Sequence, residues 1–368
     1  MRKIQLTMLL LTTTAMLVGC SVDSSQGEGA PIDPITPLNP AASLETAIEQ
    51  AVDNAIVASV DDFALRTVSL DSAVDNFCAS PDEAGLVQIQ ENWRDTFSQW
   101  YRLSLYNFGP LQDDIVFPPY TFIDSLRLRG TDYIQTVRDE IASDISSNAA
   151  LTDSYFAGKT FQRVGLLALE SAAFETSTAE NSALLDDIVS EYRSEPRKCL
   201  VLQGLAGQLQ QRASNVEQGW TVAYRGSGAA YRTLFLAGQL EDGTEPLSQI
   251  LISAQEFLDY LQARRVAVTA GQLAMHSWMA ISATIDEVEE LLGGGATSTD
   301  TLFSVMRATG NQNAVATVEN NIAQVRQSIA DRDVEMLEIT LGFLDGNFKR
   351  EIPDSLNVDL GINFSDGD

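Results

Sequence analysis

Few side chains in this chain have types and spacings suited to chemistry. A single histidine, His276, follows Met275 and precedes Ser277-Trp278. One imidazole excludes a zinc helix of the HExxH kind and leaves little for a nucleophile–histidine relay. It reads as a satisfied or surface histidine, with a weak iron site among scattered carboxylates as the alternative. The three cysteines, Cys20, Cys78 and Cys199, are too few for a Cys₄ zinc site. Neither a Gly-x-Ser-x-Gly elbow nor a phosphate-cradling P-loop occurs in the sequence.

The carboxylate that stands out is Glu170, in Gly165-Leu-Leu-Ala-Leu-Glu-Ser-Ala-Ala-Phe174. Leu166, Leu167, Ala173 and Phe174 flank it at three- and four-residue helical steps, so it is expected to be part-buried and to need a partner. It could contact a cation or substrate in a cleft, or form a structural ion pair with an arginine. Gly165 permits close helix approach in either case. Arg127 and Arg129, near Asp124, are conspicuous in a chain with 23 basic residues. They could bind an anion, neutralise Glu170, or sit as solvated loop charges. Arg94 is a third candidate partner. Trp93, Phe97 and Trp100 form an aromatic stripe at helical spacing, which reads as core or as a ligand-stacking wall. The acid runs Asp113-Asp114, Asp186-Asp187 and Asp286-Glu287 with Glu289-Glu290 lack the spacing of a calcium loop and read as solvated faces.

The elements that must position these residues are helical. Leu44, Ile48, Val52, Ile56 and Val60 recur every four residues and build one apolar stripe. Ser80-Pro81-Asp82-Glu83 reads as N-cap, first-turn proline and capping-box acid of a helix carrying the aromatic stripe, stopped by Gly109-Pro110. Further helices are expected at about 131–147, 159–174 and 195–222. After the Gly226-Ser227-Gly228 hinge, they are expected at about 229–239, 245–263, 271–292, 299–308, 312–330 and 332–345. Alternating patterns long enough for a sheet are absent from the sequence. The expected fold class is all-α, with two helical bundles in series at 43–225 and 226–352 and a tail at 353–368.

Arg2-Lys3, an apolar run to Val18 and Leu17-Val18-Gly19-Cys20 read as a signal segment (1–19) ending in a lipobox, with lipid on Cys20; an ordinary signal peptide is the alternative. Residues 20–42, with prolines at 31, 34, 37 and 40, suit an extended tether. Ser21 after the cysteine leans toward the outer membrane of a Gram-negative envelope, on its periplasmic side. With Cys20 lipidated, Cys78 and Cys199 remain as a pair in an oxidising compartment, and a disulfide is expected, two free thiols being the alternative. The formal net charge is −28, and loss of Arg2 and Lys3 takes it to about −30. That argues against nucleic acid as a partner and polybasic membrane binding, and suits a salty habitat, a cation-storage role being the alternative.

With these residues in view, a family resemblance emerges. Cys78-Ala-Ser-Pro81, Asn92-Trp-Arg94, Trp100 and Phe108-Gly-Pro110 resemble the N-terminal half of imelysin-like proteins. Gly165 to Glu170 sits where that family carries Gly-x-His-x-x-Glu. Arg197-Lys-Cys199, His276-Ser-Trp278 and Leu360 to Asp368 resemble further segments in the same order. The resemblance implies a bacterial envelope protein, often a lipoprotein, of two packed helical bundles. It implies either a metallopeptidase or a role in iron uptake. The motif histidine is Leu167 here, so only Gly165 and Glu170 carry over, as in a subgroup lacking it. The first expectation is therefore a non-enzymatic lipoprotein that binds iron, a small ligand or an envelope protein partner in iron acquisition. A divergent metallopeptidase and a structural envelope protein are the rivals.

Overall fold

The stripe from Leu44 to Val60 lies on one long helical rod. It is made of α1 (Pro40–Ala51), a π-helical turn (Val52–Val57) and α2 (Ala58–Ala79). Val52, Ile56 and Val60 are buried, and Leu44 and Ile48 pack against them from the edge. The computed structural model describes residues 40–125, 131–178, 180–240, 243, 245–295 and 298–360, the side chains of 40–42 aside. The expected signal segment, Cys20, most of the tether, Arg127, Arg129 and residues 361–368 lie outside the described residues.

The cap of α3 (Glu83–Leu103) differs from the expected box. Asp82 is the N-cap, and its carboxylate accepts the Gly85 N–H at 2.7 Å. Ser80 instead closes α2, its N–H bonded to Phe77 O at 3.0 Å. Pro81 disfavours helical backbone at the residue before it. The helix therefore starts two residues later than the serine, and an acid directly before it takes over the capping.

Short pieces follow: α4 (Pro119–Ile123), α5 (Ile134–Ser146) and α6 (Asp153–Ala157). The helix expected from 159 is broken by a 3₁₀ turn at Phe161–Arg163, and α7 (Gly165–Phe174) begins only at Gly165. α8 (Leu185–Ser194), not anticipated, buries Ile188, Val189 and Tyr192. α9 (Pro196–Thr221) follows the expected long helix within a residue at each end.

Beyond the glycine turn lie α10 (Tyr231–Leu236), α11 (Pro246–Ala263), α12 (Val266–Thr269) and α13 (Ser277–Gly293). Then come α14 (Leu302–Ala308), α15 (Gln312–Asp331), α16 (Val334–Lys349) and α17 (Glu351–Leu356). The helical run expected at 271–292 is shortened at its start, because residues 270–276 form a non-helical bend in which Met275 adopts φ +52°. The last helix carries regular structure to Leu356, into the segment expected as tail.

The described chain is all-α, with no strand among the described residues. α2 packs on both α3 and α9, and α7 lies against both α3 and α9. α11 packs on α16, and α15 on both α13 and α16. α3 runs along α13 and so joins the two sets of helices. Cys78 at the end of α2 and Cys199 at the start of α9 form a disulfide, with Cα atoms 5.5 Å apart. The expected bridge is present, and it ties together the two long helices that sandwich the first core.

Candidate functional site

α3 and α7 place most of the singled-out residues in one region. Trp93, on α3, donates its indole N–H to Leu166 O on α7 at 3.0 Å. Its ring stacks on Phe97 at 4.7 Å and meets Phe174 edge-on at 5.4 Å. Trp100 donates to Asp124 Oδ2 at 3.0 Å. All three aromatic residues of the stripe are buried, so the stripe is core, and its two indole N–H groups are satisfied by α7 and Asp124.

Gly165 has a structural reason. It adopts φ +80°, and a Cβ there would lie 2.5 Å from Ile123 O and 2.6 Å from Phe122 O. Only glycine lets the start of α7 come this close to the end of α4.

Glu170 is 2 % exposed. Arg94, the one candidate partner among the described residues, does not pair with it. Oε1 of Glu170 accepts the Ala274 N–H at 2.9 Å. This donor comes from the 270–276 bend, about a hundred residues away in sequence. Arg94 reaches the same bend by another route. Its Nε donates to Ala274 O at 3.3 Å, and its guanidinium lies over the Phe174 ring at 5.0 Å. Among the described residues no arginine forms an ion pair with Glu170, and Arg127 and Arg129 are outside them. The peptide of Ala274 is thus gripped from both sides, its N–H by Glu170 and its C=O by Arg94. Burial pushes the Glu170 carboxyl up to about 7; the Ala274 and Leu273 N–H groups pull it down, and the Glu175 and Asp124 carboxylates push it further up.

His276, at the end of the bend, shares a 2.8 Å hydrogen bond between Nε2 and Ser98 Oγ on α3. Burial lowers its pKa, with Arg94 adding to the effect and Asp95 opposing it. The histidine is therefore satisfied by a hydroxyl, as the sequence suggested.

Sequence reasoning missed a buried ionic cluster beside this region. Glu175, 2 % exposed, receives Arg138 in a two-pronged bond at 2.8 and 2.7 Å and the Ser171 hydroxyl at 2.7 Å. Lys198 is buried in an ion pair with Glu191 and donates to Glu175 O at 3.2 Å. A second cluster joins Lys159 to Glu140 and to Asp144 at 2.9 Å. Glu287 departs from the expected solvated face. It is fully buried, paired with Arg102 at 2.8 Å and accepting the Tyr106 hydroxyl at 2.7 Å. Its neighbours Asp286 and Glu289 do face outward and bind Arg326. The only signal for Glu287 is its i+3 spacing from Thr284 on the buried stripe of α13.

The donor set at the motif does not fit a resident metal. Leu167 supplies no ligand atom, Oε1 of Glu170 is engaged by the Ala274 N–H, and among the described residues no cluster of three or more His, Cys, Asp or Glu side chains is placed to hold a metal ion. The arrangement joins α7 to the 270–276 bend.

Comparison with known proteins follows the same line. The chain is similar to a crystal structure of an imelysin-like protein from Psychrobacter arcticum, at 16 % identity and TM-score 0.61, covering 88 % of this chain and 98 % of that one. It is also similar to a protein from Parabacteroides distasonis described as an iron-regulated protein A precursor, at 12 % identity and TM-score 0.58, covering 86 % and 95 %. No curated protein matches the chain. The Imelysin family model matches residues 56–348, which span every helix from α2 to α16 and both sides of the Glu170–Ala274 contact, and the chain belongs to that family.

Proposed function

We propose that this is a non-enzymatic imelysin-like lipoprotein, anchored through Cys20 and facing the periplasm, that binds a ligand or partner in iron acquisition. The observation that carries the non-enzymatic part is the use made of Glu170. Its Oε1 accepts the Ala274 N–H at 2.9 Å, and the motif position three residues before it holds Leu167. A general base or metal ligand needs a lone pair directed at substrate or metal. Here Oε1 is directed at the bend. The iron context is supported by the name of the Parabacteroides relative and by family membership. The lipid anchor is supported by Leu17-Val18-Gly19-Cys20 and the proline-spaced stretch after it. That stretch ends near the described start of α1, so the anchor would hold the body on a tether of about 20 residues, reaching up to about 70 Å.

The test uses the purified protein in two assays. Thermal melting with ferric iron, haem and a ferric siderophore is expected to give a rise with at least one of them. Casein cleavage, with and without chelator, is expected to be absent. Chelator-sensitive cleavage lost in Glu170→Gln would overturn the reading in favour of a peptidase. A flat melting response to all three iron forms would turn it to a structural envelope role. Mass spectrometry of the mature protein is expected to find a lipidated Cys20 at the N-terminus, and an unlipidated start elsewhere refutes the anchor.

A further inference from the structure

Arg212 differs from the other part-buried arginines, since even Arg94 and Arg197, which lack a carboxylate, donate to main-chain carbonyls. With 51 acidic residues against 23 basic ones, a guanidinium near the interior is expected to be claimed by a carboxylate. Arg138, Arg102, Arg232 and Arg326 are each claimed in this way. Arg212 is not. Among the described residues it has no ion pair, and its buried Nε has no hydrogen-bond partner. Its one contact of note is the Phe122 ring, 4.3 Å below the guanidinium. That ring supports the flat face and leaves the N–H edge free to donate. Burial alone lowers the pKa of the group, without any neighbouring acid to oppose it.

Arg212 lines a cavity of about 250 Å³ between α9 and the segments around Pro110 and Pro119. Arg212 and Asn215 are the polar residues on its α9 wall, one helical turn apart, and Pro110, Pro119, Val216 and Tyr224 give it apolar surface. Gly219 keeps the wall close, because a Cβ there would lie 2.8 Å from the Pro110 ring. At the rim Arg225 is paired with Asp113 and donates to Asp113 O at 2.6 Å, so it adds no net charge. The cavity therefore presents one uncompensated positive charge, a planar donor edge and an apolar body.

We propose that this cavity is a binding site for a small monocarboxylate with a short apolar body, held by Arg212 through a two-pronged guanidinium–carboxylate bond. The planar edge matches a carboxylate in geometry. A single unopposed cation matches a single negative charge. A phosphate dianion fits less well, because Asp113 lies at the rim and the whole chain is strongly acidic. The site lies on α9 and needs neither the lipid anchor nor iron, so it stands or falls separately from the reading above.

The experiment is calorimetric titration and thermal melting of the full chain with benzoate, its neutral isostere benzamide, and inorganic phosphate. Benzoate is expected to bind and, at a hundredfold excess over Kd, to raise the melting temperature by about 4 °C. Benzamide is expected to be silent. Arg212→Met is expected to weaken benzoate binding by at least about tenfold, equivalent to about 1.4 kcal/mol. Removing an unpaired cation leaves no orphaned partner, so this variant is expected to fold. If it does not, Asn215→Asp decides: the position is exposed, and a carboxylate three residues from Arg212 would occupy the guanidinium and displace benzoate to the same extent. Silence toward benzoate and other small carboxylates at about 10 mM, an affinity normally within easy reach of a built site, overturns the proposal. So does equal binding of benzamide, phosphate binding tighter than benzoate, or unchanged affinity in the folded variants.

Discussion

Glu170 shows what one carboxylate does when its partners are peptide groups. Its pKa is raised from 4.5 to about 7, so between those values the native state holds a proton that the unfolded chain has released. Stability from this group therefore falls as pH rises through that window, by up to about 3 kcal/mol, and levels off above it. Glu170→Gln removes the titration. Urea unfolding at pH 5 and at pH 7 is expected to show a smaller loss for this variant than for the wild type; equal losses would mean that Glu170 ionises normally. Glu170→Leu leaves the Ala274 N–H without an acceptor and is expected to cost about 1–3 kcal/mol at either pH. The sequence indicated that Glu170 needed a partner, because an acid among Leu166, Leu167, Ala173 and Phe174 must be buried. It could not indicate which partner. Every residue carries a main-chain N–H, so a donor of that kind leaves no mark in the sequence, whereas arginines are few and draw the eye.

At the scale of elements, the long periodic helices were legible and the breaks between them were not. α9, α11 and α15 stand within a residue or two of their expected limits, because each carries an uninterrupted apolar stripe. α8 was missed, since its ten residues hold only three buried positions and its first turn is acidic. The start of α7 was misplaced because Gly165 reads as an ordinary helical glycine until its contact with α4 is seen. That contact makes a sharp expectation. Gly165→Ala must force a Cβ into the Ile123 and Phe122 carbonyls at a backbone angle that alanine resists. A loss of at least about 2 kcal/mol is expected in urea unfolding, and a near-neutral result would show that α4 and α7 separate freely. The disulfide acts on two elements at once, closing a chain segment of 121 residues between α2 and α9. Cys78→Ser with Cys199→Ser is expected to lower stability by about 2–5 kcal/mol. The wild type under reductant should lose a similar amount, and a stable reduced protein would show that α2–α9 packing suffices alone.

Across the whole molecule, repulsion among acidic side chains outweighs the electrostatic attraction of the local pairs. If every one of the 23 basic residues were matched to an acid, the excess of 28 acidic charges would still be unmatched. Several of the pairs are buried and respond little to salt, among them Lys198–Glu191 and Arg102–Glu287. Exposed pairs such as Arg66–Asp95, 3.6 Å apart with both side chains about half exposed, contribute little in any case. Salt therefore weakens a small attraction and screens a large repulsion. Raising ionic strength from about 0.01 M to 0.1 M shortens the screening length from about 30 Å to about 10 Å, less than the spacing between opposite faces of the body. The melting temperature is expected to rise over that interval with sodium chloride. It is expected to rise far less with sucrose at equal osmolality, which separates charge screening from preferential exclusion. A melting temperature that is flat or falls with salt would mean that the acidic excess is held by bound cations, or that exposed ion pairs contribute more than their geometry indicates. The sign of this response was readable from composition alone. The buried pairs that limit its size became visible only in the fold, because burial of a group such as Glu287 against Arg102 of α3 follows no local pattern in the sequence.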